Sequence, residues 1–181
     1  GRDAVPRVFP REGDRKAADA FLNANGVAGD FLVLHPGSGG ERKCWPPDRF
    51  ARAADEVART TGSKVVVPSG PADEQVVARM VSAMAVPPVV ARDLPLPVLA
   101  GLLARCHAYL GNDSGVTHLS AASGAPVVAL FGPTDPRVWG PRGERVRVVQ
   151  GNPDLPAEQR LEAITTEEVL RAVQEMWPLS A

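Results

Sequence analysis

Aromatic residues are scarce, at 5% of the chain, with one tyrosine, three tryptophans and five phenylalanines among 181 residues. A core built on large rings is excluded, and most of the 44% hydrophobic fraction must be aliphatic. Cysteine is scarcer still. The two cysteines, Cys44 and Cys106, have no metal-site spacing. We read both as small hydrophobes in a reduced setting. Charge of either sign is in no excess: 20 Lys and Arg against 21 Asp and Glu leave a net −1. That removes the basic surface of a nucleic-acid binder, so any bound anion must be held by a few local groups. No apolar run approaches the roughly 18 residues of a membrane span. Residues 1–10 are polar and carry prolines, without the apolar centre of a signal peptide. The chain opens on Gly1 rather than Met. We expect a domain cut from a longer polypeptide, although a processed N-terminus would look the same.

What the sequence does contain is a repeating alternation. Short apolar runs at 31–34, 64–67, 88–91, 108–110, 126–131 and 145–149 suit strands buried on both faces. Between and around them, helical spacing predicts helices at 14–25, 49–61, 73–84, 97–106, 115–123 and 166–176. Strands alternating with helices of this length predict βαβ units. The expected fold class is α/β, a Rossmann-like parallel sheet with helices on both faces. One domain is expected over 1–181. Its first residues, 1–13, read as an extended lead-in because of Pro6 and Pro10.

In an open parallel sheet, ligands bind beyond the carboxyl ends of the strands. Three segments lie there. After the first strand, His35-Pro36-Gly37-Ser38-Gly39-Gly40-Glu41-Arg42-Lys43 combines backbone freedom, a hydroxyl and two cations. It can hold a diphosphate, with Lys43 as a point charge, or it can be a plain surface loop. The spacing is not that of a Walker loop. After the fourth strand, Gly111-Asn112-Asp113-Ser114-Gly115-Val116-Thr117-His118 offers a helix start. Asp113 or Ser114 suits the N-cap, and the free first amides can face an anion. The plainer reading is an ordinary capped helix, with His118 a packed residue. After the fifth strand, residues 131–136 read as a rigid turn, with Trp139 beyond it as either a pocket wall or a core cap. Glu74 can accept from ribose hydroxyls, or it can simply favour a helix N-terminus, as Asp73 is expected to do. His35 and His107 are given no chemistry, and no nucleophilic triad can be assembled from spacing.

Taken in order, these segments resemble a known family. His35-Pro36-Gly37-Ser38-Gly39 with Lys43-Cys44-Trp45-Pro46 and Phe50, the stretch from Gly111 to Leu119, and the stretch from Pro126 to Pro136 with Trp139-Gly140-Pro141 are similar to three signatures of glycosyltransferase family 9. The resemblance implies the C-terminal half of a two-domain GT-B enzyme. Such an enzyme moves heptose from an ADP-heptose donor to the lipopolysaccharide inner core, with inversion and without a metal or other cofactor. It implies a site in which Lys43 and Asp113 take part in the reaction. Ser38, Gly39, Lys43, Glu74, Ser114, Gly115, Thr117 and His118 would hold the donor, with adenine near residues 92–97. It further implies an absent N-terminal domain that binds the acceptor and carries the catalytic base. The expected location is cytoplasmic, at the inner face of the inner membrane. The terminal helix would dock elsewhere in the intact protein and leave Trp177 exposed. Two other readings stay open: a GT-B transferase or epimerase using a UDP-sugar, and a non-catalytic nucleotide-binding module.

Overall fold

The computed structural model describes residues 4–177. In chain order the elements are α1 (Glu12–Ala24), β1 (Phe31–His35), α2 (Pro47–Thr61), β2 (Lys64–Ser69), α3 (Glu74–Ala83), β3 (Val89–Arg92), α4 (Leu96–Leu103), β4 (Ala108–Asn112), α5 (Gly115–Ala122), β5 (Val127–Phe131), α6 (Pro136–Trp139), β6 (Val146–Gln150) and α7 (Thr166–Met176). Short 3₁₀ turns cover Glu41–Lys43 and Ala157–Gln159.

Local chemistry sets most boundaries. A proline in the first turn of α2 loses no hydrogen bond there. Thr165 and Glu168 form a reciprocal capping box at the start of α7. Gly124 follows α5 at φ 84°, a left-handed conformation that costs any other residue energy.

The strands lie in the order β3-β2-β1-β4-β5-β6, parallel throughout. Every residue of β1, β4 and β5 is buried, which is why their sequences read as unbroken apolar runs. Successive side chains alternate between two cores. Leu32, Leu34, Val65 and Val67 pack with α2, α3 and α7. Phe31, Val33, Val66 and Tyr109 pack with α1, α4 and α5. The strand order reverses between β1 and β4. In this topology that switch point opens a crevice at the carboxyl ends of the two strands.

Several boundaries differ from expectation. His35 and Asn112 end strands rather than start loops, because the β1–β4 pairing runs on to His35 and Gly111 and the β4–β5 pairing runs on to Asn112 and Leu130. Pro68 and Ser69 belong to β2. The β1–β2 register stops at Val66, so Pro68 faces only β3 as a ladder partner and its missing N–H is tolerated. Helix α1 begins at Glu12, inside the expected lead-in. The chain ahead of it is anchored by the Val8 amide, which donates to the Ala122 carbonyl at 2.8 Å, and by an Arg7–Glu144 ion pair. Trp177 is the clearest correction. It is only 8% exposed, belongs to the α2–α7 core and lies 5.3 Å from the His107 ring. The terminal helix folds back onto α2 and the sheet of its own domain, so the ring is covered here.

Candidate functional site

Asn112, at the end of β4, is the structural centre of the crevice. Its side chain is fully buried, and its Oδ1 accepts from the Trp45 amide at 3.0 Å. Its Nδ2 donates to the Pro36 carbonyl at 2.9 Å. One amide side chain thus fastens both ends of the loop after β1. That loop is also pinned from behind. Trp45 Nε1 donates to the Ile164 carbonyl at 3.1 Å, and the Trp45 ring meets Phe50 edge-on at 5.0 Å. Arg49 reaches the same Ile164 carbonyl at 2.8 Å.

Asp113 follows directly and gathers three strand ends. Lys43, from the β1 loop, places its Nζ 2.9 Å from Asp113 Oδ2. Thr134, from the β5 loop, donates to the same oxygen at 2.8 Å. Ser38 donates to the Asp113 backbone carbonyl at 2.8 Å. The Asp113 side chain is 10% exposed and that of Lys43 is 39% exposed. An ammonium has three donors, so Lys43 can hold Asp113 and still present an N–H to an anion.

Ser114 caps α5. Its hydroxyl accepts from the Thr117 amide, and its carbonyl accepts from the His118 amide at 3.3 Å. The Gly115 and Val116 amides remain as first-turn donors for a ligand. Gly115 and His118 are exposed on that turn. Thr117 corrects an expectation. Its side chain is fully buried and its hydroxyl is shared among the Asn112 carbonyl, the Tyr109 hydroxyl at 2.9 Å and the Ser114 hydroxyl at 3.2 Å. A buried phenol needs a partner, so Thr117 serves the interior and does not line the crevice.

Beside the crevice, between the loops after β1 and β2, lies a cleft of about 740 Å³. Ser38, Gly39, Cys44, Asp73, Glu74 and Arg79 are among its lining residues. Glu74 is exposed at the first position of α3. Residues 92–97 do not line this cleft. Asp73 is the N-cap of α3 by position, yet its side chain does not cap the helix. Its Oδ2 instead lies 3.0 Å from His35 Nε2 and accepts from the Gly70 amide at 3.3 Å. The His35 hydrogen bond holds the Asp73 carboxyl below the usual carboxylate range, against a smaller opposing effect of burial. Burial pushes the Cys44 thiol up, and the charges of Asp73 and Glu41 add to it. Full burial pushes Cys106 up to about 12, so neither thiol is a ready nucleophile.

Sequence reasoning brings Lys43, Ser38, Asp113, Ser114 and Gly115 to one place, and the structure agrees with that gathering. It missed Asn112 as the fastening residue, Thr134 as a partner of Asp113, and the His35–Asp73 contact. Thr134 sits in a segment read only as a rigid turn. The other two depend on loops meeting across the sheet, for which local sequence holds no signal.

The model of glycosyltransferase family 9 (heptosyltransferase) matches residues 7–168. Lipopolysaccharide heptosyltransferase 3 of Escherichia coli K12 is 28% identical over 173 residues, 88% of this chain and 50% of its own length. The glycosyltransferase family 9 structure from Veillonella parvula superposes with a TM-score of 0.86 at 31% identity, over 94% of this chain and 53% of its own. The E. coli heptosyltransferase WaaC with ADP gives a TM-score of 0.72 at 26% identity, over 88% and 48%. The chain spans about half the length of the curated relatives it matches. Because the family match runs through the whole sheet and through each loop that meets at the switch point, the chain belongs to glycosyltransferase family 9, the heptosyltransferase family.

Proposed function

We propose that this chain is the donor-binding half of an inverting transferase that moves heptose from ADP-heptose to the lipopolysaccharide inner core. One observation carries the reading: Lys43, Ser38 and the first turn of α5 converge on Asp113 at the switch point of the sheet. Cations and helix amides there suit a diphosphate. The kinship of the chain supports heptose, and the relative with ADP supports adenine.

In this reading Glu74 accepts from the ribose, Ser38, Gly39, Ser114 and Gly115 surround the diphosphate, and His118 flanks it from the first turn of α5. The acceptor hydroxyl oxygen attacks the anomeric carbon from the face opposite the diphosphate. The bond from that carbon to the phosphate oxygen breaks, and negative charge grows on the departing ADP. Lys43 and the α5 amides stabilise that charge, with no metal required. Asp113 orients Lys43 and faces the sugar. A base must take the acceptor proton, and we assign it to the acceptor-binding half of the family fold, which this chain does not span. The work is placed at the cytoplasmic face of the inner membrane. Among the described residues, no helix is long and apolar enough to cross a membrane.

The test is calorimetric titration with ADP and with UDP, each with and without EDTA. Selective, EDTA-insensitive ADP binding supports the reading. Preference for UDP would transfer it to a UDP-sugar enzyme of the same fold.

A further inference from the structure

The donor-binding reading leaves the His35–Asp73 contact without a task. His35 is 3% exposed at the end of a central strand. Its Nε2 meets Asp73, while its Nδ1 is buried with no partner among the described residues. A buried polar ring met on one side only is held by that single bond and by what packs on it. Asp73 has given up capping α3 in order to make the contact. Gly37 closes the third side. A Cβ added there would lie 2.0 Å from Asp73 Oδ1 and 3.1 Å from His35 Cε1. The Gly37 backbone is not left-handed, so what the glycine supplies is space.

These three residues tie two loops together where the sheet no longer does. The β1–β2 ladder register ends at Val33 and Val66, well before either loop begins. One loop carries Ser38 and Lys43, and the other leads into Glu74. Both loops line the same cleft, Ser38 from the first and Glu74 just past the second, while Lys43 lies outside its lining. A ligand that reaches both walls gains from being one molecule only if the walls stand at its own length.

We propose that His35, Asp73 and Gly37 form a latch that sets the spacing between the phosphate-holding loop and the start of α3, making the cleft selective for a nucleoside diphosphate over its separate parts. This rests on the donor-binding reading above. The latch residues are positioning residues: they hold the walls and need not touch the ligand.

The test titrates the full chain with ADP, with adenosine and with inorganic pyrophosphate. The variants are His35→Leu, His35→Gln, Asp73→Ala and Gly37→Ala, each checked for a native melting transition. ADP affinity is expected to fall about tenfold or more in the Leu and both Ala variants, the scale of one lost charge-assisted hydrogen bond. Adenosine and pyrophosphate should change less than about threefold, because each occupies one wall. His35→Gln places an amide N–H near the position of Nε2 and should restore most of the ADP affinity. Should Asp73→Ala fail to fold, His35→Leu, apolar and of similar volume, carries the comparison. Unchanged ADP affinity in folded His35→Leu, or equal loss for all three ligands, overturns the latch while leaving the donor reading in place. A native chain that binds no ADP removes the donor reading and the latch with it.

Discussion

Lys43 and Asp113 meet at 2.9 Å, bringing together the loops after the two strands that flank the switch point. The pair separates two substitutions by their effect on ADP binding. In the proposed donor-binding reading Lys43 is the cation for the phosphates, so Lys43→Ala should weaken ADP binding about 10–100-fold, the range of a hydrogen bond to a charged group. Asp113→Asn keeps an acceptor for Thr134 but deletes a negative charge beside the place proposed for the diphosphate. It should leave ADP binding unchanged or tighten it a few-fold, while slowing transfer if Asp113 faces the sugar. Calorimetry on both variants checks this. Equal weakening by both would mean that the ion pair only props the loop.

Asn112 engages both ends of its side-chain amide with backbone groups of the β1 loop. Asn112→Ala leaves the Trp45 amide and the Pro36 carbonyl buried without that partner. Urea unfolding should show a loss of about 2–3 kcal/mol, with weaker ADP binding because Ser38 and Lys43 are no longer held. Full stability in the variant would show that the loop is fixed by Trp45 and Arg49 alone.

The two thiols should differ in accessibility. Cys106 is buried and pushed up to about 12, so its thiolate is negligible at pH 8. Cys44 lies on the cleft wall and is also raised, so it reacts slowly and faster as pH increases. Ellman's reagent should titrate one thiol in the native chain and the second only after unfolding. ADP should slow the first reaction. Equal rates with and without saturating ADP would place the nucleotide away from this cleft.

Trp177 offers a test of the domain boundary. Its ring sits in the core shared by α2 and α7. Trp177→Ala should cost about 3–5 kcal/mol, read as a lowered midpoint in urea. A change under about 1 kcal/mol would indicate that the terminal helix is not part of the folding unit.

Much of this was legible from residue order alone. Fully buried parallel strands need unbroken apolar runs, and helices between them need a 3.6-residue spacing. The segments 31–34, 108–110 and 126–131 therefore announced the centre of the sheet, and the Gly-rich and helix-start segments after them announced its polar edge. The terminal residues of the strands were not legible, because His35, Pro68 and Asn112 carry none of the local features of strand formers. They are held in place by pairing with a neighbouring strand.

The sequence by itself determined the fold class and the family, and it put Ser38, Lys43, Asp113 and Ser114 just past strand ends on one edge of the sheet, because each of these depends on local pattern and on motifs in fixed order. Only the tertiary structure decided which polar groups serve one another. Thr117 turned inward to satisfy Tyr109, Asp73 turned away from its helix to His35, and Trp177 found cover in its own domain. In each case the choice belongs to a partner distant in the chain. Burial makes every unmatched polar group costly and every exposed ring wasteful, so the partner is chosen when the loops and helices close over the sheet.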